Sequence, residues 1–159
     1  MRLACGRRGK GWLLLLTAAT MGCATTPPAE APVILEFLSS SEHLSLSLPF
    51  SEAVRAGDTL YLSGQLGTLP GTVELAEGGV RGEARQALAN IGAVLERNGS
   101  GLDRVVKCTV FLADMSEWAA FNEVYRDAFG DRLPARSALQ AGGLALDARL
   151  ELECIALAN

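Results

Sequence analysis

The chain has 159 residues, of which 49% are apolar, so it can bury the core of one ordinary domain and a second domain is not expected. Its formal net charge is −4 at pH 7 and its folded part carries no cluster of Lys and Arg, which disfavours nucleic-acid binding. His43 is the only histidine, which argues against a His-containing zinc site, a Ser-His-Asp triad and a Cys-His pair.

The first 22 residues have the form of an export signal. Basic residues come first, the apolar run 12–19 follows, and Met21-Gly22-Cys23 comes next. That run is too short to span a bilayer. The sequence Thr20-Met21-Gly22-Cys23 resembles a bacterial lipoprotein cleavage site, which implies that Cys23 becomes the lipid-bearing first residue of the mature chain.

Residues 23–32 are rich in Thr, Pro and Ala, and we expect them to be a flexible tether between a lipid and the folded domain, 33–159. Removal of residues 1–22 leaves 10 Lys and Arg against 18 Asp and Glu, a net charge of −8. The expected location is the periplasmic side of a bacterial membrane, and Ala24 favours the outer membrane. The alternative is translation from Met21, which would give a cytoplasmic protein with a loose tail.

The first half of the domain contains short extended segments. Residues 33–38 are apolar and β-prone and predict an edge strand. Residues 39–48 form a weak strand pattern because leucines alternate with serines. Residues 59–67 predict a firmer strand that ends in glycine, and Leu69-Pro70-Gly71 predicts a turn.

The second half alternates helices and strands. Apolar residues recur at helical spacing over 80–98, and again where Trp118, Phe121, Tyr125 and Phe129 step by three, four and four. Asn98-Gly99 and Gly130 predict the two helix ends. The remaining runs, 105–112, 135–141 and 149–157, predict strands.

Cys108 and Cys154 each lie among aliphatic residues of a predicted strand. The first interpretation is two buried free thiols, and a disulfide in an oxidising compartment is the alternative.

This order predicts an α+β fold in which two amphipathic helices cover one face of a mixed sheet. The other face would expose valines and leucines together with Glu151 and Glu153. Self-association through that face is the simplest way to bury it.

Arg136 is the first candidate for a functional site. It follows Pro134 and Ala135 at the start of a predicted strand, and a planar guanidinium can bind a carboxylate through two parallel hydrogen bonds. Solvated or ion-paired arginines are also common at such positions, so the spacing alone leaves both interpretations open.

Five sequence blocks resemble the reactive intermediate deaminase (Rid, YjgF-type) family, and they occur in family order with family spacing between about residues 49 and 156. The blocks are Leu48-Pro49-Phe50-Ser51-Glu52-Ala53-Val54, Tyr61-Leu62-Ser63-Gly64-Gln65-Leu66-Gly67, Asn122-Glu123-Val124-Tyr125, Pro134-Ala135-Arg136-Ser137 and Glu151-Leu152-Glu153-Cys154-Ile155-Ala156. The resemblance implies a homotrimer of chorismate-mutase-like subunits, an active site in each cleft between neighbours, and no cofactor or metal.

The same resemblance implies hydrolysis of 2-imino acids, and of enamines that tautomerise to them, to 2-oxo acids and ammonia. Arg136 would bind the substrate carboxylate, and Glu151 would hold and activate the attacking water. Ser63, Gly64 and Asn122 match pocket positions of the family. The chain departs from the family at Phe50, where many members have tyrosine, and at Ala138, where many active members have cysteine.

A second hypothesis is a non-catalytic protein in which Arg136 binds small carboxylic acids such as 2-oxo acids in the same cleft. Glu151 favours the enzyme, because an acid positioned beside an anion-binding arginine suits proton transfer. Glu153 is expected to be a solvated residue.

Overall fold

The computed structural model describes residues 32–158, so the predicted signal, Cys23 and most of the tether lie outside the described residues. Residues 32–158 form seven strands and three α-helices. The strands are β1 (Leu35–Leu38), β2 (Ala53–Ala56), β3 (Thr59–Leu62), β4 (Gln65–Leu66), β5 (Val105–Leu112), β6 (Ala135–Gln140) and β7 (Leu150–Leu157), and the helices are α1 (Ser41–Ser45), α2 (Gly79–Arg97) and α3 (Trp118–Phe129).

The sheet is mixed, with the order β1-β2-β3-β7-β5-β6. All its pairings are antiparallel except that of β5 with β6, which are parallel and are joined through α3. β4 follows β3 in the chain and pairs with the other end of β7. Strand β6 therefore lies at one edge of the sheet.

The core lies between one face of the sheet and helices α2 and α3. Side chains alternate along a strand, and in β7 the residues Leu150, Leu152, Cys154 and Ala156 are buried. They pack with α2, whose buried residues recur at helical spacing. This arrangement confirms the predicted α+β fold with one face of a mixed sheet covered by two helices.

The opposite face of the sheet has no helix over it among residues 32–158. Tyr61 and Leu139 on this face are 49% and 45% exposed. Phe111 and Ile155 are half-buried there, beside Leu139 and Tyr61 respectively. This apolar surface favours association with another subunit.

The strand prediction for residues 39–48 was wrong, because part of this segment is the helix α1. The Ser40 side chain accepts a hydrogen bond from the His43 backbone N–H at 3.1 Å and so caps the helix. The His43 ring is buried, and its Nε2 lies 2.7 Å from the Phe50 carbonyl oxygen. A helix cap and one contact between residues seven positions apart thus outweigh the alternation of leucine and serine.

The single strand predicted over 59–67 is interrupted at Ser63 and Gly64 and forms β3 and β4. Ser63 donates its backbone N–H to the Glu52 carbonyl oxygen at 3.0 Å and its hydroxyl to the Ser51 carbonyl oxygen at 2.7 Å. These bonds hold the interruption against the segment that precedes β2. Strand β2 itself was not predicted.

Cys108 and Cys154 form a disulfide, so the first interpretation, two free thiols, was wrong. The two residues are directly paired in the register of β5 and β7, with Cα atoms 4.1 Å apart. Such close opposition is typical of a pair without mutual backbone hydrogen bonds. The bridge links the two strands in the buried layer of the sheet.

Candidate active site

Arg136 lies on β6, and its side chain points toward α3. The guanidinium carbon is 4.5 Å from the ring centre of Trp118, 4.6 Å from that of Tyr125 and 5.6 Å from that of Phe121. Arg136 is half-buried against these aromatic rings. Such stacking places a cation on ring faces, which attract it.

Arg136 has no carboxylate partner among residues 32–158, where four other arginines form salt bridges with Glu36, Glu123, Glu52 and Glu117. Burial lowers the pKa of its guanidinium, and Arg126 acts in the same direction while Tyr125 opposes it. The group remains cationic at neutral pH. Its hydrogen-bonding fork is therefore available to an external acid.

Two further predicted residues lie near Arg136. Ala138 is two residues along β6, on the same face of the strand, and packs against the core. Asn122 is half-buried on α3, one turn after Trp118. We call Trp118, Asn122, Arg136 and Ala138 the arginine half-site.

Glu151 lies on β7 against the interruption between β3 and β4. A side-chain carbon added at Gly64 would overlap the Glu151 Oε1 atom and lie 2.7 Å from its Cδ. Glycine at this position therefore gives the carboxylate its space. The resemblance implied that Gly64 is a pocket position, and the structure places the Glu151 carboxylate against it.

The pKa of Glu151 is raised from its ordinary value, first by burial and second by the negative charge of Glu153. Both effects disfavour the ionised form and so make the carboxylate a stronger base. Glu153 is exposed, as expected. A strengthened base on a strand is suited to taking a proton from water.

A cavity of about 500 Å³ lies beside Gly64 and Phe50 and extends to Asn90 and Val94 of α2; Glu151 is not among its lining residues. The Phe50 ring is exposed and packs edge-on against the buried His43 ring, with centroids 5.3 Å apart and an interplanar angle of 62°. Ser63 is fixed by the two hydrogen bonds described above. We call Phe50, Ser63, Gly64 and Glu151 the glutamate half-site.

Arg136 and Glu151, the charged residues of the two half-sites, lie on opposite faces of the sheet. Arg136 is in register with Cys108, and Cys108 with Cys154, beneath the helices. Glu151 is in register with Phe111, and Phe111 is in register with Leu139, on the uncovered face. Because neighbours in register share a face of the sheet, Arg136 and Glu151 cannot meet within one subunit.

The aromatic contacts of Arg136 were not predicted. Trp118, Phe121 and Tyr125 were assigned to the apolar face of a helix, and Phe121 and Tyr125 are indeed buried. The sequence contains no local signal for the stacking, because it depends on the parallel pairing of β6 with β5.

Among residues 32–158, no group of three or more His, Cys, Asp or Glu side chains is arranged to hold a metal ion. In that same range, no helix is both long and apolar enough to cross a membrane.

Known proteins share this fold. A family model described as Endoribonuclease L-PSP matches residues 41–158. The mouse protein named 2-iminobutanoate/2-iminopropanoate deaminase is 41% identical over 125 residues, which cover 79% of this chain and 93% of that protein. RutC family protein UK114 of Drosophila melanogaster is 42% identical over 125 residues, which cover 79% of this chain and 91% of that protein. RidA from the Antarctic bacterium Psychrobacter sp. PAMC 21119, whose crystal structure is known, is 35% identical in sequence. The two structures superpose with a TM-score of 0.67 over 80% of this chain and 99% of that chain.

Proposed function

The chain belongs to the L-PSP (Rid, YjgF-type) family, and we propose that it is a hydrolytic deaminase that converts 2-imino acids to 2-oxo acids and ammonia. The observation that carries this proposal is the pair of complementary half-sites. One presents a cation without a carboxylate partner among residues 32–158, and the other presents a carboxylate whose pKa is raised. A small molecule that bears both a carboxylate and an electrophilic carbon can bind the cation through its carboxylate while the basic carboxylate acts at its electrophilic carbon.

In the proposed reaction Arg136 holds the substrate carboxylate in two parallel hydrogen bonds. Glu151 takes a proton from water as the water oxygen bonds to the imine carbon, and the π electrons of the C=N bond move to nitrogen. The protonated Glu151 returns the proton to that nitrogen. Glu151 then takes the hydroxyl proton of the carbinolamine and delivers it to the amino nitrogen, so that the C–N bond breaks, ammonia leaves and the carbonyl of the 2-oxo acid forms. The imine is already electrophilic, so orientation and one base suffice.

We further propose that a homotrimer forms the site, with the arginine half-site of one subunit facing the glutamate half-site of its neighbour. Two observations support this arrangement: Arg136 and Glu151 lie on opposite faces of the sheet, and the uncovered face carries exposed apolar side chains. Phe50 and Ala138 leave the proposed pocket without the tyrosine hydroxyl and the cysteine side chain that many members of the family have there.

The description of the family model also contains the word endoribonuclease. An RNA substrate is not favoured here, because the acidic chain would repel a phosphate backbone. The only histidine, His43, is buried and lies 2.7 Å from a backbone carbonyl oxygen.

We propose that the protein is exported and lipid-anchored at Cys23. The support is the order of basic, apolar and Gly22-Cys23 segments, together with a disulfide, which persists in exported proteins more readily than in the cytosol. Mass spectrometry of the intact protein tests this. A soluble species without lipid that begins at Met1 or Met21 would contradict it.

The direct test of the function is release of ammonia and 2-oxo acid from a freshly generated 2-imino acid. We expect Arg136→Lys to keep the charge but lose the two-pronged contact, which costs about 2–5 kcal/mol or roughly thirty- to several-thousand-fold in kcat/KM. We expect Glu151→Gln to retain carboxylate binding while kcat falls.

A pure carboxylate-binding protein would behave differently. In that case Arg136→Lys weakens binding of a 2-oxo acid, and Glu151→Gln changes nothing measurable. Release of ammonia by the wild type at only the uncatalysed rate would refute the deaminase function.

A further inference from the structure

Arg136 contacts helix α3 through the faces of aromatic rings. The Arg136 guanidinium carbon lies within 4.6 Å of the ring centres of both Trp118 and Tyr125. Tyr125 is buried, and Trp118 is half-buried. Three aromatic residues on successive turns of one helix thus form a surface under a single arginine, with Phe121 as the third.

This surface differs from the usual partner of a buried arginine. A carboxylate would neutralise the guanidinium and occupy its N–H groups, whereas a ring face attracts the charge and leaves those N–H groups unbonded. The rings also carry no competing charge. The pKa of Tyr125 is raised to about 12, mainly by burial, so its hydroxyl stays neutral at every working pH.

We propose that Trp118 and Tyr125 are positioning residues that hold the Arg136 guanidinium in a fixed plane, partly desolvated, for the substrate carboxylate. This inference rests on the proposed function, since it assigns to the aromatic rings a role in the same site. Trp118 is the more decisive of the two, because indole gives the strongest cation–π attraction among the aromatic side chains. Tyr125 is also a core residue, so its substitution would disturb the fold.

Trp118 also provides a direct signal of binding. Trp118 is the only tryptophan of residues 23–159, the mature chain proposed above, and Trp12→Phe makes it the only one in a full chain that retains residues 1–22. A carboxylate bound to Arg136 changes the electric field at the indole ring of Trp118, whose centre lies 4.5 Å from the guanidinium carbon. We expect 2-oxobutanoate, the probe, to change the emission of Trp118 in the Trp12→Phe protein, and Arg136→Lys to weaken that response.

The test of positioning compares Trp118→Leu with Trp118→Phe. We expect Trp118→Leu to raise KM for the imino acid and the Kd of 2-oxobutanoate by about threefold to thirtyfold, with kcat nearly unchanged, because carboxylate binding is equal in the ground and transition states. Trp118→Phe should keep both values within about threefold, since a ring face remains. Calorimetry measures Kd in the leucine variant, which has lost the fluorophore.

The matched control is Val124→Ala. Val124 is buried on the same helix but lies on the side of α3 that faces Leu88 and Ala89 of α2, and Arg136 does not stack on it. This variant should lower the thermal stability of the protein and leave KM unchanged. Equal effects of Val124→Ala and Trp118→Leu on KM would show that helix packing alone matters, and would overturn the proposal.

The remaining outcomes separate the two hypotheses. Wild-type deamination with an unchanged KM and Kd in folded Trp118→Leu overturns the positioning role and leaves the deaminase intact. Absence of deamination, with 2-oxobutanoate binding that weakens in Trp118→Leu, refutes the deaminase and supports the positioning role. Absence of 2-oxobutanoate binding by the wild type at millimolar concentration overturns the positioning role as well.

Discussion

Arg136 and Glu151 are both partly removed from water, and burial disfavours the charged form of each. The consequence differs because their ordinary pKa values differ. Arginine starts so far above neutrality that it remains a cation, and partial desolvation strengthens its attraction for an anion. Glutamate starts below neutrality, so the same effect moves its pKa toward the working pH and makes it a better base.

The raised pKa of Glu151 predicts the acid limb of the pH–rate profile. The ionised carboxylate is the active form, so kcat/KM should rise with pH through the pKa of Glu151 and then level off. That midpoint should lie above the ordinary value of 4.5. Glu153→Gln removes the second cause of the shift and should move the limb to lower pH. An acid limb at or below pH 4.5 in the wild type would contradict the assignment of Glu151 as the base.

Gly64 offers a second test at the residue scale. Gly64→Ala places a carbon where Glu151 Oε1 lies, so the carboxylate must move. Because misplacement of a catalytic group by about 1 Å costs on the order of a hundredfold, we expect kcat to fall by that amount. Gly142→Ala is the matched control, since a side-chain carbon there meets nothing within 4 Å. Equal kinetics of the two variants would show that the glutamate does not need this position.

The elements show which parts of the fold could be predicted from the sequence. The periodicity of α2 and α3 and the alternation along β5 and β7 were sufficient, because each of these elements buries one long apolar face. Helix α1 and the interruption after β3 were not predicted, because they depend on single hydrogen bonds such as that of the Ser63 hydroxyl to the Ser51 carbonyl. The disulfide depends on the register of β5 with β7, which the sequence alone does not specify.

The disulfide between β5 and β7 should contribute to stability. It joins residues 46 positions apart, and removal of such a bridge typically costs about 2–4 kcal/mol. The double variant Cys108→Ala and Cys154→Ala should therefore unfold at lower denaturant concentration, as measured by circular dichroism. A reductant present throughout equilibrium unfolding should lower the midpoint of the wild type and leave the double variant unchanged. A wild type insensitive to reductant under these conditions would show that the bridge has no such role.

At the scale of the whole molecule, the sequence was sufficient to identify the candidate residues but not to show which of them lie on the same face of the sheet. The sequence motifs supplied the residues and, through resemblance, a cleft between subunits. That Arg136 and Glu151 lie on opposite faces required the strand pairings, since Arg136 precedes Glu151 by fifteen positions but belongs to a different strand. A subunit with its two half-sites on separate faces can complete two clefts, one with each neighbour. Contacts of this kind are head-to-tail, and they close into a ring when the rotation between subunits allows it.

This arrangement predicts complementation between two inactive variants. Arg136→Ala removes the arginine half-site from a subunit and Glu151→Gln removes the base, so homotrimers of either should be nearly inactive. When the two are unfolded, mixed in equal amounts and refolded together, about a quarter of the clefts should combine an intact arginine from one subunit with an intact glutamate from the next. Ammonia release should then recover to about a quarter of the wild-type rate. The control is the same mixture combined without unfolding, which should stay inactive while subunits do not exchange. If native mass spectrometry shows mixed trimers and the refolded mixture remains inactive, Arg136 and Glu151 do not act across a subunit boundary.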